Sequence, residues 1–169
     1  MMGSNGTTSP MHLAYGVRVK RDAGEWRIGL LSGRKRVNTP EATVKMYIEA
    51  FLDWNNRSDV RCNEVYSDQD QYDQMMDLAS QEYQQIIDRL CCPSVVPQPI
   101  NFGDNPLHHP VHETIESVDI QGPIAVVRTR NVRTLGPLVA FEYHLVLVDN
   151  EWRLASILYV DDVSADECL

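Results

Sequence analysis

Residues 138–161 constrain the fold of this chain more than any other stretch. Two runs of β-branched and aromatic residues meet there at Asp149-Asn150, a dipeptide that tolerates positive φ and is typical of a two-residue hairpin turn. Counting outward from the turn pairs Phe141 with Leu158, because side chains alternate faces along a strand. The side that must be buried is then formed by Val139, Phe141, Tyr143, Leu145, Leu147, Trp152, Leu154, Leu158 and Val160.

The opposite side of this terminal hairpin is mixed in character. Its polar members are Glu142, His144, Arg153, Tyr159 and Asp161, among Ala140, Val146, Ala155 and Ile157. Such a set is too polar for a second core and too apolar to be left without a partner. Because tyrosine and arginine are enriched where proteins bind one another, we predict an interface here, either with another protein or with a second copy of the chain.

Two amphipathic helices are predicted before the strands. The first begins at Thr39-Pro40-Glu41, which supplies an N-cap oxygen, a proline at the first helical position and an acid near the positive end of the dipole. It continues to about Asn56, and the second helix runs from about Asp70 to Cys92. Apolar residues at three- and four-residue steps define the buried sides: Val44, Tyr47, Ile48, Phe51, Leu52 and Trp54, then Tyr72, Met76, Ala79, Tyr83, Ile86 and Leu90.

The polar side of the second helix forms a regular acidic stripe. Its acids are Asp70, Asp73, Asp77 and Asp88. A solvated helix face is one interpretation of such a stripe. The other is a docking surface for a basic protein, since complementary charge speeds encounter and selects partners.

Five prolines between Pro93 and Pro110 exclude a helix in that stretch and predict a long loop. Loops of that length are usually functional or bind a partner. Strands are predicted at 112–120 and 124–132, joined by a turn at Gly122-Pro123. Two helices followed by antiparallel strands indicate an α+β fold, with one face of the sheet packed on the helices.

The domain organisation follows from these elements. Residues 1–11 are interpreted as a flexible leader or tag remnant, because they are rich in Gly, Ser and Thr. Residues 12–37 are predicted to form an extra N-terminal β-hairpin and a basic connector. Residues 38–169 then form one α+β domain, a length that can bury an ordinary core.

Charge and cysteine usage restrict the partners and the compartment. The net charge is −9, which argues against direct binding to nucleic acid, because phosphates require a basic surface. No apolar run approaches the length of a membrane helix, so no membrane partner is predicted. The four cysteines contain no Cys-x-x-Cys pair, which favours a reducing compartment and a cytoplasmic protein.

The candidates for chemistry are few. His108, His109 and His112 with Glu113 could donate metal ligands, but Pro110 prevents the helix that would align them, so loop histidines capping a strand are the other interpretation. In the final hairpin the buried side carries no carboxylate and no histidine, and Tyr143 is expected to hydrogen-bond Ser156. We therefore predict no catalytic residue, no metal and no cofactor. The first helix keeps Tyr47 and Asp53 as possible contributors to a pocket.

The order of elements, together with the final pattern Tyr143-x-Leu-Val-x-x-Asp149-x-x-Trp152-Arg-Leu, resembles the nuclear transport factor 2-like superfamily over residues 38–162. That resemblance implies a cone-shaped α+β fold in which a curved antiparallel sheet cups a pocket. Three segments are similar to the immunity proteins of this fold from bacterial polymorphic toxin systems: 83–92, then 103–110 leading into 113–118, and finally 141–145 with 152–161.

That resemblance implies a protein that binds a cognate toxin domain and blocks it by occlusion, without catalysis. The residues expected to bind the toxin are Asp70, Asp73, Asp77, Glu142, His144, Arg153 and Tyr159. Two other functions remain open on the same fold. One is a small-molecule-binding protein or an enzyme of the hydrolase or isomerase type, and the other is a homodimeric scaffold.

Overall fold

The computed structural model describes residues 38–65, 67–97, 101–132, 139–160 and 165–167. The leader and the hairpin predicted for residues 1–37 lie outside the described residues, as does Cys168. The elements are α1 (Pro40–Val65), α2 (Gln69–Leu90), β1 (Glu113–Gln121), β2 (Ile124–Asn131), β3 (Val139–Val148), β4 (Glu151–Val160) and β5 (Ala165–Glu167). This order confirms the α+β prediction.

Helix α1 begins where the sequence predicted but ends later. The Thr39 hydroxyl accepts a hydrogen bond from the Ala42 amide at 3.2 Å, as an N-cap does. The predicted end near Asn56 is wrong, because α1 continues to Val65. Asn55 does not cap the helix: its side-chain amide donates to the carbonyl of Gly103 at 2.8 Å and accepts from the Gly103 amide at 3.2 Å. A side chain that bonds a distant loop no longer competes for the backbone of its own helix.

Helix α2 packs against α1 through aromatic residues that also make polar contacts. Its N-cap is Asp68, which accepts from the Gln71 amide at 3.1 Å. The Trp54 indole donates to the carbonyl of Ala79 at 2.9 Å, and the hydroxyls of Tyr47 and Tyr83 are 3.0 Å apart. These bonds satisfy polar groups that would otherwise be costly to bury.

The five strands form one antiparallel sheet in the order of the chain. Asp149 and Asn150 have φ of 49° and 63°, which confirms the predicted turn between β3 and β4. The helices cover one face of the sheet. The buried side chains that β2 and β3 direct at the helices are Ala125, Val127, Thr129, Asn131, Val139, Phe141, Tyr143 and Leu145.

A β-bulge corrects the predicted register of the terminal hairpin. Leu145 pairs with Leu154 as predicted, but His144 pairs with Ser156, so Ala155 is an extra residue in β4. Beyond the bulge every side chain of β4 changes face. The core therefore receives Ile157, which is fully buried, and the prediction that placed Ile157 on the outer face is wrong. The predicted register beyond the bulge is also wrong, since Phe141 pairs with Tyr159 and Val160 pairs with Ala140. Leu158, which was predicted to be buried, lies half-buried opposite Glu142.

The outer edge of β4 is covered along its length. The side chain of Asn38 bonds the amide and the carbonyl of Trp152, at 2.9 and 3.2 Å. Further along, the Cys92 amide donates to the carbonyl of Leu154 at 2.7 Å, and β5 pairs with Leu158–Val160. A covered edge cannot pair with another strand.

Candidate functional site

Four polar side chains meet inside the core, between the sheet and α1. We call them the polar core cluster: His108 from the loop after α2, Glu113 from the start of β1, Thr129 from β2 and Tyr143 from β3. Each strand residue lies at a position whose side chain faces the helices. The side chains of His108 and Glu113 are 1% and 0% exposed, so the cluster is enclosed.

Short hydrogen bonds join all members of the polar core cluster. The Tyr143 hydroxyl donates to Glu113 Oε1 at 2.5 Å, and the Thr129 hydroxyl donates to the same oxygen at 2.7 Å. His108 Nδ1 lies 3.1 Å from Glu113 Oε2 and 2.9 Å from the Tyr143 oxygen. Because the Tyr143 proton points at Glu113, these two contacts are satisfied when Nδ1 carries the imidazole proton.

Aromatic rings surround the imidazole of His108. Its centroid lies 4.6 Å from Phe141, 5.0 Å from Phe51 and 5.5 Å from Tyr47. Within the described part of the chain, Nε2 is buried and has no hydrogen-bond partner. A carboxylate that orients an imidazole with an unpartnered second nitrogen is the arrangement used in general base catalysis. Here the imidazole is fully buried among these rings.

Sequence reasoning missed this cluster for two reasons. Tyr143 was expected to bond Ser156, but the bulge pairs Tyr143 with Ile157. His108, His109 and His112 were interpreted as metal ligands or as loop histidines that cap a strand, whereas His108 is buried in the core and the rings of His109 and His112 contact each other at 4.4 Å. One signal was available, since Glu113 alternates with Ile115 on the apolar side of β1.

The acids of α2 that were predicted to bind a partner lie on the exposed side of that helix. Asp70, Asp73 and Asp77 are all exposed, as is Asp88. Glutamine side chains donate to two of these carboxylates at 2.8 Å, one to Asp73 and one to Asp88. The stripe is therefore accessible, and its binding role stays a prediction.

The residues predicted on the outer face of the terminal hairpin separate into different environments. Glu142 accepts from Arg128 at 2.7 Å and lies 3.4 Å from His144, so both remain on the outer face. The guanidinium of Arg153 donates to the carbonyls of Asp88 and Cys91 at 3.4 and 3.2 Å, where it stabilises the end of α2. The placement of Tyr159 on this face is wrong, because its ring contacts Phe141 at 5.8 Å on the core side.

Within the described residues, no group of three or more His, Cys, Asp or Glu side chains is placed to hold a metal ion.

His109 Nδ1 accepts a hydrogen bond from the Val111 amide at 3.1 Å. Burial, and then the charge of His112, lower the pKa of His109 from its ordinary value of 6.5.

We expect the NMR titration of His109 to have its midpoint below that of a free histidine. Replacing His112 with asparagine should raise the pKa of His109 part of the way back, because it removes the nearby positive charge but not the burial. A lowered pKa in the folded state means that the unfolded state binds the proton more tightly. The contribution of His109 to the free energy of unfolding therefore decreases as the pH falls below 6.5. An unchanged midpoint in His112→Asn would contradict the charge contribution.

Cys91 is the most strongly perturbed thiol of the described chain. Burial, with smaller contributions from neighbouring charges, raises its pKa to about 12. Cys92, also partly buried, has its pKa raised in the same direction. A raised pKa keeps the thiol in its neutral form, which is a weak nucleophile.

Alkylation should reveal this inert thiol. At pH 8 we expect iodoacetamide to label Cys91 at least about a thousandfold more slowly in the folded chain than in urea, because the thiolate fraction falls tenfold per pKa unit. Peptide mapping by mass spectrometry gives the rate at each cysteine. Equal labelling of Cys91 in the folded and unfolded chain would contradict its burial.

Grooves on the surface of the described residues include one beside β1 and one between the helices. The first, which we call the α1–β1 groove, has a volume of about 360 Å³ and is lined by Lys45, Ile48, Glu49, Pro110, Glu113, Thr114 and Ile115. The side chain of Glu113 itself is enclosed. The second groove lies between the helices, has a volume of about 320 Å³ and contains the carboxylate of Glu82, which Arg61 bonds at 2.7 Å.

Comparisons with protein-family profiles, with curated proteins and with solved structures give no match to this chain. Of the helices in the described residues, none is long and apolar enough to cross a membrane. The function must therefore be inferred from the chemistry of the core and of the surfaces themselves.

Proposed function

We propose that this chain is an immunity protein that binds a cognate bacterial toxin domain in the cytoplasm and neutralises it by occlusion, without catalysis. The observation that carries the proposal is the filled space between the sheet and α1. His108, Phe141 and Tyr143 are each 0% exposed and pack against one another there. An enzyme of such a fold would need an open pocket with convergent polar groups at that place, so the outer surface is the part available to act.

We also propose that the described elements form a nuclear transport factor 2-like cone. Three features support it. Helices α1 and α2 pack on one face of an antiparallel sheet, and the bulge at Ala155 bends β4. In addition, a parallel bridge joins Cys91 to Leu154 and brings the chain after α2 to the sheet edge. A sheet curved towards its helices is what such a cone requires.

The charge of the chain favours a basic protein as the toxin. Acidic residues outnumber basic residues by 24 to 15, and the acids of α2 are exposed. Complementary charge raises the rate at which two proteins meet and disfavours partners of the same sign. A nuclease toxin, which must itself be basic to bind phosphates, has the complementary charge.

Co-expression with toxin domains tests the proposal directly. The first toxin to try is one encoded next to the gene of this chain, in a bacterial host whose growth the toxin arrests. We expect restored growth and a complex that survives size-exclusion chromatography. Charge reversal at Asp73 and Asp77 should slow association, whereas reversal at the exposed Glu64 of α1 serves as the matched control. The proposal would be refuted if no toxin domain tested were neutralised and none formed a complex with the chain. Self-association alone would favour the homodimeric scaffold.

A second function, small-molecule catalysis, is favoured by the polar core cluster. Its carboxylate, imidazole and phenol are types of group that acid–base enzymes use. Catalysis would require the rings of Tyr47 and Phe51 to move away from His108. A ligand that enters would broaden or shift the NMR signals of the His108 ring, so screening a library of small carbonyl and ester compounds by this signal separates the two functions.

A further inference from the structure

Strand β1, at one side of the sheet, and β4, next to the short β5 at the other side, differ in how their outer edges are protected. The edge of β4 is covered by Asn38, Cys92 and β5. The amide of Glu113, the first residue of β1, donates to the carbonyl of His109 at 2.8 Å. Beyond it no described residue pairs with the outer edge of β1, which we call the open edge. Five of the last six residues of β1 are exposed: Glu116, Ser117, Asp119, Ile120 and Gln121. An unpaired strand edge is a template for another strand.

The register of β1 shows which backbone groups point outward. Gln121 pairs with Ile124 across the two-residue turn, and Asp119 pairs with Val126. In an antiparallel hairpin the pair that closes a two-residue turn is hydrogen-bonded, and bonded pairs alternate with non-bonded ones. The amides and carbonyls of Val118 and Ile120 therefore point away from β2, along the open edge.

An apolar strip accompanies these groups on the helix-facing side of β1. Ile115 and Val118 are half-buried, and Ile120 is 52% exposed, so the cover over the strip decreases along the strand. The α1–β1 groove begins at the same strand. It touches Thr114 as well as Ile115, whose side chains lie on opposite faces, so the groove borders the open edge and offers space for one apolar side chain.

Charge selects the occupant of this edge. Strand β1 contains three acids and no lysine or arginine, and residues 38–169 contain 22 acidic against 8 basic residues. A second copy of the chain would bring the acids of one β1 close to the acids of the other, and like charges across a strand pair are destabilising. A basic strand is the complementary partner.

We propose that an extended basic segment of a partner protein adds to the open edge of β1 as a further strand and places an apolar side chain in the α1–β1 groove. This mode of recognition takes affinity from main-chain hydrogen bonds and specificity from alternate side chains. The proposal rests on the proposed immunity function, in which the partner is the toxin. It adds the open edge of β1 to the surfaces that the sequence predicted, which are the acids of α2 and the outer face of the terminal hairpin.

Amide hydrogen exchange on the full chain tests the edge without the toxin. The probe is a synthetic ten-residue peptide of alternating lysine and valine, and the control peptide has glutamate in place of lysine. We expect the amides of Val118 and Ile120 to exchange rapidly in the free chain and to become protected with the lysine peptide only. Three results would overturn the proposal: amides already protected in the free chain, no protection with peptide, or protection confined to the outer face of β3 and β4.

A matched pair of substitutions checks the surface. Ile120 and Ile124 are both 52% exposed. Ile120 lies on the helix-facing side of β1, the side of the apolar strip, whereas Ile124 lies on the opposite face of the sheet in β2. Ile120→Lys should weaken binding of the lysine peptide about fivefold or more, the effect of one lost favourable contact of hydrogen-bond size. Ile124→Lys should leave it within about twofold. A proline at Ile120 removes an outward amide, which edge strands tolerate, and should weaken binding to the same extent.

The same pair separates this proposal from the proposed function. With a toxin against which the chain protects, Ile120→Lys should lose protection and Ile124→Lys should keep it. If both variants protect equally, the open edge is not the binding surface, while the immunity function stands. If no toxin is neutralised, the immunity function fails, and the peptide experiment still decides whether the edge accepts a strand.

Discussion

Replacing Glu113 with alanine should lower the free energy of unfolding by about 3–5 kcal/mol, because a buried carboxylate that accepts several hydrogen bonds is lost and its partners stay buried and unpaired. The carboxylate accepts from Tyr143 and Thr129 and contacts His108, and its side chain is 0% exposed. Without it, three buried polar groups lose an acceptor that water cannot replace. Urea unfolding followed by tryptophan fluorescence measures the change.

Glu116 provides the control on the same strand. Its side chain is 40% exposed and lies 2.6 Å from Arg130. A solvent-exposed ion pair contributes about 0–1 kcal/mol, so Glu116→Ala should change stability by less than about 1 kcal/mol. Equal effects of the two substitutions would mean that the polar core cluster does not contribute to stability as its geometry indicates.

Replacing Ile157 with alanine should cost about 2–5 kcal/mol, because its side chain is fully buried and alanine would leave a cavity. The adjacent Leu158→Ala should cost clearly less, since Leu158 is only half-buried on the outer face. The unfolding free energies of these two variants therefore test whether the bulge at Ala155 is present. A hairpin without the bulge would reverse the order of the two effects.

Two checks accompany this pair. The urea dependence of the unfolding free energy should be the same for both variants, because a change would indicate an altered denatured state. Neither Ile157 nor Leu158 lies at the open edge of β1. Each variant, at a temperature where it is folded, should therefore bind the lysine peptide as the unchanged chain does, and weaker binding would show that the edge depends on the core packing.

Local patterns were sufficient to predict most of the elements. The proline-capped start of α1, the three- and four-residue periodicity of α2 and the turn at Asp149-Asn150 all lie where they were predicted. Each of these signals arises within a few residues, from capping, from the helical repeat or from tolerance of positive φ. Such signals do not depend on what the rest of the chain does.

The errors occurred where a distant residue changed the outcome. Asn55 looked like a helix end, but Gly103, 48 residues away in sequence, bonds both atoms of its amide group. His108 looked like a loop histidine, but Glu113 and Tyr143 draw it into the core. In each case a polar side chain found a hydrogen-bond partner far away in sequence. Burying the side chain together with that partner was more favourable than the conformation its neighbours in sequence prefer.

By itself, the sequence determined the class of this protein: two amphipathic helices, a meander of strands, and an acidic chain. Only the tertiary structure decided which side of β4 faces the core after Ala155, since one inserted residue reverses a period of two without leaving a trace in composition. It also decided which sheet edge stays open. Edge protection depends on where Asn38 and Cys92 arrive in space, and no pattern within a strand encodes that.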